Sequence, residues 1–236
     1  IKGDERIDGG GAVAADGRGN VYVFWHATKA DFVEAAGRVY LSVSHDGGKT
    51  FQIPSTVDRG SDGACACCNM AAIVHDGKLF VLYRAAAQGT RRDTILLTSA
   101  DGGESCKSTI LQPWEINQCP VSRFSLCSAS NGVFAAWETK GRIFYERVDD
   151  PAKISTAPQG VTASSVEKFP TISRDADNIL VTWTTVPAWG QPGTLHWEVH
   201  DPSGKLLSAS APDITVPQWS YATALVLGPA KFAVIH

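Results

Sequence analysis

Four stretches of the chain share one hydropathy pattern: a continuous apolar run closed by an aromatic and then a polar residue. They are Asn20–His26, Lys78–Arg84, Gly132–Glu138 and Asn178–Thr184, and Lys231–His236 is a weaker copy with Ile235 in the aromatic place. A turn signal precedes the first four: Asp16-Gly17, Asp76-Gly77, Asn131-Gly132 and Asp175-Ala176-Asp177. Gly and Asn tolerate the positive φ that tight hairpins need. Unalternating runs rich in β-branched and aromatic residues read as strands covered on both faces. A shorter run precedes each full copy, at Gly11–Ala15, Met70–Val74, Phe124–Ser128 and Pro170–Ser173. Another follows, at Val39–Ser44, Thr94–Ser99, Ile143–Arg147 and Leu195–His200, and a fourth strand is expected after it, as at Phe51–Val57.

The recurring unit is therefore a four-stranded antiparallel meander. Sheets that cover both faces of every strand stack face to face around an axis, so the expected fold is all-β, a β-propeller. The blades fall at about 9–58, 64–117, 119–162 and 165–214, with a partial blade at 220–236, about four and a half in one domain spanning 1–236. An open ring exposes apolar faces and strand edges. The expectation is an incomplete last blade whose missing strands come from residues beyond His236 or from another chain.

Composition narrows the function. The chain of 236 residues is 44% hydrophobic and 19% charged, with a formal net charge of −3. No basic run marks it as a nucleic-acid binder, and no apolar run is long enough to span a membrane. The first residues, Ile1–Arg6, do not form a signal peptide, so any export signal is expected to be removed or to lie outside this sequence.

Ser44-His45-Asp46-Gly47-Gly48-Lys49-Thr50-Phe51 follows the pattern Ser-x-Asp-x-Gly-x-Thr-aromatic. The Asp46 carboxylate can accept turn N–H groups, Gly48 can supply a positive φ, and Phe51 can pack inward. Ser99-Ala100-Asp101-Gly102-Gly103-Glu104-Ser105-Cys106 is a degraded copy at the same place in the next unit. Both turns are read as structural. They resemble the Asp box, and with the repeat they make the chain similar to the sialidase (neuraminidase) and BNR-repeat propeller superfamily. The resemblance implies a six-bladed sialidase-like ring. In that family three arginines clamp a carboxylate beside a Tyr–Glu nucleophile pair and an acid/base Asp. The family's Phe/Tyr-Arg-Ile-Pro segment has no counterpart here, so no catalytic residue is carried over.

Strand direction places the Asp-box turns on one face and the connections between units on the other, where a propeller binds ligands. Polar residues of that second face include Arg6, Asp8, His26, Arg84, Arg91, Arg92, Arg123, Glu138, Glu167 and Lys168. Arg84, Arg123 and Glu138 lie near strand ends and are the candidates for the axis; Arg91-Arg92 reads as a solvated loop tip. Arg6, His26, Trp189, Trp219 and Tyr221 are candidate ligand-binding residues, the aromatics as sugar-stacking platforms.

All six cysteines fall within Cys65–Cys127. Cys65, Cys67, Cys68 and Cys119 lie in neighbouring connections, with Cys127 one strand away and Cys106 in the degraded Asp box. Disulfides, a thiolate site for zinc or copper, and free thiols are the open readings. The Cys-x-Cys-Cys spacing is taken as distinct from a zinc-ribbon pair. The Cys-x-Cys-Cys and Cys-Pro segments are similar to those of bacterial BNR-repeat proteins, which implies an exported, periplasmic or secreted protein.

Three functions follow as expectations. The first is a sialidase-like propeller that binds a carbohydrate or other ligand, with glycoside hydrolysis open. The second is a non-catalytic scaffold or subunit with a protein partner. The third is a thiolate metal-binding propeller.

Overall fold

The computed structural model describes residues 6–28, 34–58, 62–130, 132–155, 158–162, 166–186, 190–211, 214–218 and 220–236. The chain divides into two compact units, residues 1–121 and 122–236. Regular structure among the described residues is strand, apart from two single 3₁₀ turns.

Unit 1 holds two antiparallel meanders. The first is β1 (Arg6–Ala15), β2 (Val21–Thr28), β3 (Arg38–Ser44) and β4 (Ser55–Thr56); the second is β5 (Ala71–His75), β6 (Lys78–Arg84), β7 (Thr94–Ser99) and β8 (Lys107–Gln112). The first strands of the two sheets, β1 and β5, lie beside each other. Unit 2 repeats the plan with β9 (Phe124–Ala129), β10 (Gly132–Thr139), β11 (Arg142–Arg147) and β12 (Gln159–Gly160). Its next sheet is β13 (Glu167–Arg174), β14 (Ile179–Thr185), β15 (Gly193–His200) and β16 (Leu206–Ala209), with β17 (Ile214–Val216) also paired to β15. A two-stranded sheet of β18 (Thr223–Gly228) and β19 (Lys231–Ile235) completes it. Here β13 runs beside both β9 and β18. Within each unit the leading strands are thus neighbours, as in sheets arrayed about an axis.

In the second, third and fourth sheets the second strand is the most buried, as its unalternating pattern predicts, whereas in the first β3 is buried more fully than β2. All of β10 is buried, and Leu79–Arg84 of β6 and Ile179–Thr184 of β14 are buried without a break. Their two faces serve two different cores. In the first sheet Tyr22, Phe24, Val39 and Leu41 pack with Leu79, Val81, Tyr83 and Ile95 of the second, whereas Trp25 stacks on Tyr40 at 5.8 Å on the reverse face. In unit 2 Phe134, Tyr145, Ile172, Val181 and Trp183 form the corresponding cluster.

Two expectations are corrected. The strand read at Phe51–Val57 contracts to Ser55–Thr56. Backbone bonds from Gln52 to Val43 and from Val57 to Val39 bracket it, but Pro54 has no N–H for the ladder between them. Burial on both faces does not extend to every strand either: β5 is half-buried throughout and β16 is exposed throughout.

Candidate functional site

A group of polar and aromatic side chains converges on one edge of unit 2. Antiparallel direction puts the end of β10 beside the starts of β9 and β13, and the segment leading into β18 joins them. Glu138, at the end of β10, is fully buried. Its carboxylate accepts from Ser122 Oγ at 2.7 Å, Gly141 N at 3.1 Å and Lys168 Nζ at 2.9 Å. Next to Lys168 the register of β13 shifts, and Phe169 takes φ +57. A positive φ is uncommon for a bulky aromatic, and a bulge re-aims the side chains around it. The Phe169 ring meets Tyr221 edge-on at 5.1 Å, and the Arg123 guanidinium lies 3.9 Å over the Tyr221 ring. Tyr221 remains exposed. The edge thus presents an open aromatic ring backed by a cation, with an ion pair one residue away.

A second carboxyl lies nearby. Glu167 is fully buried; its Oε2 accepts from Ile143 N at 2.6 Å, and Arg142 Nε stands 3.6 Å away. Its Oε1 has no hydrogen-bond partner among the described residues. Burial pushes this carboxyl above the usual range, with the charges of Glu198 and Glu138 adding to the rise and Ile143 N and Arg142 opposing it. Glu138 is ion-paired while Glu167 is held toward its neutral form, so the two acids stand in unlike environments.

Of the sequence candidates, Arg123, Glu138, Lys168 and Tyr221 come to this edge with Glu167 nearby, while Phe169 and Ser122 were not singled out. Phe169 carries no signal in composition, because its role depends on the bulge. Arg84, the candidate from unit 1, is fully buried. Its Nη1 donates to Arg92 O and Thr94 Oγ1, each at 2.9 Å, and its guanidinium lies 5.2 Å from the Trp114 ring centroid. Arg92 is buried as well, and Arg91 pairs with Asp93, so this connection is a packed loop rather than a solvated tip. His26 is corrected from a loop ligand to a core residue, 1% exposed, with neither ring nitrogen hydrogen-bonded among the described residues. Desolvation lowers its pKa to about 4. Trp189 and Trp219 lie outside the described residues, as do the side chains of Arg6 and Asp8.

No family model matches the sequence, and no curated protein matches it. Solved structures do match its fold. A GH93 α-L-arabinofuranosidase of Fusarium graminearum, in complex with arabinobiose, superposes with TM-score 0.63 at 10% identity, covering 98% of this chain and 79% of that one. A Penicillium chrysogenum α-L-arabinanase gives TM-score 0.63 at 13% identity, covering 97% and 74%. A Hadza microbial sialidase gives 0.56 at 13%, covering 91% of this chain and 47% of its own, so the chain spans about half that enzyme's length. The fold is a partial β-propeller, of the kind that glycosidases use.

In propeller terms the Ser44–Phe51 turn and its degraded copy, Ser99–Cys106, sit where the third strand meets the fourth. Ser44 Oγ donates to Asp46 Oδ1 at 2.7 Å, Thr50 Oγ1 donates to Asp46 Oδ2 at 2.7 Å, and Lys49 N and Thr50 N also donate to Asp46. Gly48 N donates to Ser44 Oγ, and Gly48 takes φ +88. Ser99, Asp101, Gly103 and Ser105 repeat the arrangement. These bonds hold Asp46 down at about 2 and Asp101 well below the usual range. Asp101 and Asp46 are saturated with turn donors, which suits a structural role. Cys106 packs against the unit 1 core in the aromatic's place, its thiol raised by burial to about 11.

The cysteine loops meet in unit 1. Cys67 is disulfide-bonded to Cys119. Cys65 Sγ lies 3.1 Å from Cys67 Sγ and 3.6 Å from Cys68 Sγ. Cys65 and Cys68 thus have the Cys-x-x-Cys spacing after all, a pair masked in the sequence by the cysteine between them. The bulged start of β1 passes directly over this loop: a Cβ on Gly9, at φ +112, would stand 1.9 Å from Ala66 O. Cys127, a candidate for a disulfide or metal site, is a free thiol packed against the unit 2 core, where burial raises it to about 12. No helix among the described residues is long and apolar enough to cross a membrane.

Proposed function

We propose that this propeller binds a carbohydrate at the unit 2 edge, with Tyr221 as the stacking platform. The observation that carries the reading is the exposed Tyr221 ring, fixed by Arg123 at 3.9 Å and Phe169 at 5.1 Å beside the Glu138–Lys168 pair. Aromatic faces hold the apolar faces of sugar rings, and convergent polar groups orient their hydroxyls. The carbohydrate-active neighbours of the same fold support a glycan ligand, and the Asp-box turns support kinship with the sialidase-like, BNR-repeat branch. The Cys67–Cys119 disulfide supports an exported, extracytoplasmic protein. Glycoside hydrolysis needs two carboxyls in unlike environments flanking the bond; Glu138 and Glu167 are unlike but fully buried, which favours binding over turnover. The test is calorimetric titration with arabino-oligosaccharides and sialosides, paired with fluorogenic assays of both. Tyr221→Ala should weaken binding about tenfold. Absence of saturable binding to either glycan, or full affinity in Tyr221→Ala, overturns the reading.

A second reading is favoured by one observation. The sulfurs of Cys65, Cys67 and Cys68 all lie within 4.8 Å of one another. With the Cys67–Cys119 bond reduced, these three thiolates make a donor set suited to zinc or copper(I), and Cys119 is released beside Cys67. In the oxidised protein Cys67 and Cys119 are not available as ligands. Metal content measured with and without reductant decides: metal retained only in the reduced protein supports the site, and none in either state removes it.

A further inference from the structure

At the opposite edge of unit 2, where β11 and β13 end and β14 begins, a cleft of about 320 Å³ opens between the third and fourth sheets. It lies at the small end of the roughly 300–1,000 Å³ typical of small-molecule sites. Its polar groups are unusually incomplete. Arg174, at the end of β13, is 5% exposed. Its Nε donates to Asp175 O at 3.1 Å and its Nη2 to Ala176 O at 3.3 Å, while the guanidinium rests 4.2 Å over the Phe134 ring. Its Nη1 has no partner among the described residues. Tyr145, on β11, is 2% exposed, with its ring against His200 at 5.0 Å and its phenol oxygen also without a partner. Glu146 Oε1 accepts from Ser155 N at 2.7 Å, and its Oε2 is buried without a partner among the described residues. Buried polar atoms in native folds are nearly always satisfied, and an orphan costs about 1–3 kcal/mol. Three residues that line one cleft each carry an orphan at its wall, and together they point to a ligand that completes them.

The chemistry of the orphans selects its class. Arg174 Nη1 requires an acceptor, Glu146 Oε2 requires a donor when ionised, and the Tyr145 hydroxyl takes either. Hydroxyl groups serve all three. A simple anion would answer Arg174 and be repelled by Glu146. The second guanidinium on the cleft, Arg147, is already closed by a two-pronged pair with Asp149, at 2.6 and 2.7 Å. Phe134, Ile179, Pro158 and Pro202 give the walls an apolar share. We propose that this cleft is a second binding site, for one neutral sugar ring or small polyol. It is independent of the Tyr221 edge and does not rest on that reading.

The experiment is saturation-transfer-difference NMR and calorimetry on the full chain, with glucose, galactose, xylose, arabinose and glycerol as neutral probes and glucuronate and inorganic phosphate as charged ones. Tyr145→Phe removes only the orphan hydroxyl, and Ser203→Trp blocks the rim from an exposed turn. The expected result is saturable binding of at least one neutral probe, weakened about three- to tenfold by Tyr145→Phe and abolished by Ser203→Trp. Tyr221→Ala should leave it unchanged, which separates this site from the other edge. A thermal melt should show Tyr145→Phe at least as stable as the parent without ligand. Binding of glucuronate or phosphate alone overturns the polyol class. No saturable binding up to about 10 mM, or full affinity in both cleft variants, overturns the site.

Discussion

His26 and Tyr221 show how burial decides what a side chain can do. His26 shares a face of β2 with Phe24 and is opposite Val39 in the register. Desolvation disfavours its imidazolium and lowers its pKa from 6.5 to about 4. The unfolded chain therefore binds a proton that the folded chain refuses between those values. Stability from this residue is intact above about pH 6.5 and declines as pH falls toward 4. By pH 4.5 the loss should reach about 2–3 kcal/mol. Urea unfolding of wild type and His26→Leu at pH 7 and pH 4.5 checks it: the difference between the two pH values should shrink by that amount in the variant. In the sequence His26, Arg84 and Glu138 looked alike, each a polar residue closing an apolar run. Only packing separates them, since a strand's end can finish inside a core, under a loop or beside an open edge.

At the scale of elements, legibility follows burial. β2, β6, β10 and β14 announce themselves because a strand covered on both sides needs no polar alternation. β4, β12 and β17 have two or three residues each, and their pairing is set by neighbours rather than by pattern. The Phe169 bulge was equally silent, because register shifts leave no compositional mark. The turn between β3 and β4 was legible, since a serine, an aspartate, a glycine and a threonine at fixed spacing have one efficient way to satisfy each other. That turn yields a titration. Asp46 is held at about 2 by Thr50, Ser44 and Lys49. Its contribution is present above the ordinary carboxylate range of about 3.9 and fades as pH drops through 2. Carboxyl carbon shifts followed by NMR should place the Asp46 midpoint near 2, and Thr50→Val should raise it; a midpoint near 4 in the parent contradicts the turn geometry.

For the whole molecule, the repeat in the sequence was enough to anticipate stacked meanders, because each sheet has two apolar faces and no helix to cover them. The division into units at Val121 was not visible, for the same repeat runs through both. The bond between Cys67 and Cys119 joins the connection before β5 to the one after β8, 52 residues apart. Closing a loop of that length removes chain entropy worth about 4 kcal/mol from the unfolded state. Cys119→Ser should lower unfolding free energy by about 2–4 kcal/mol, measured by denaturant titration without reductant; an unchanged midpoint would show that the bond does not restrict the unfolded chain.

Because that bond encircles all of β5 to β8, the second sheet is a closed covalent ring with two tails. A protease that cuts the exposed turn between β7 and β8 opens the ring without parting the molecule. The two pieces stay joined through the disulfide until a reductant arrives, so a single cut in this turn leaves the molecule in one covalent piece.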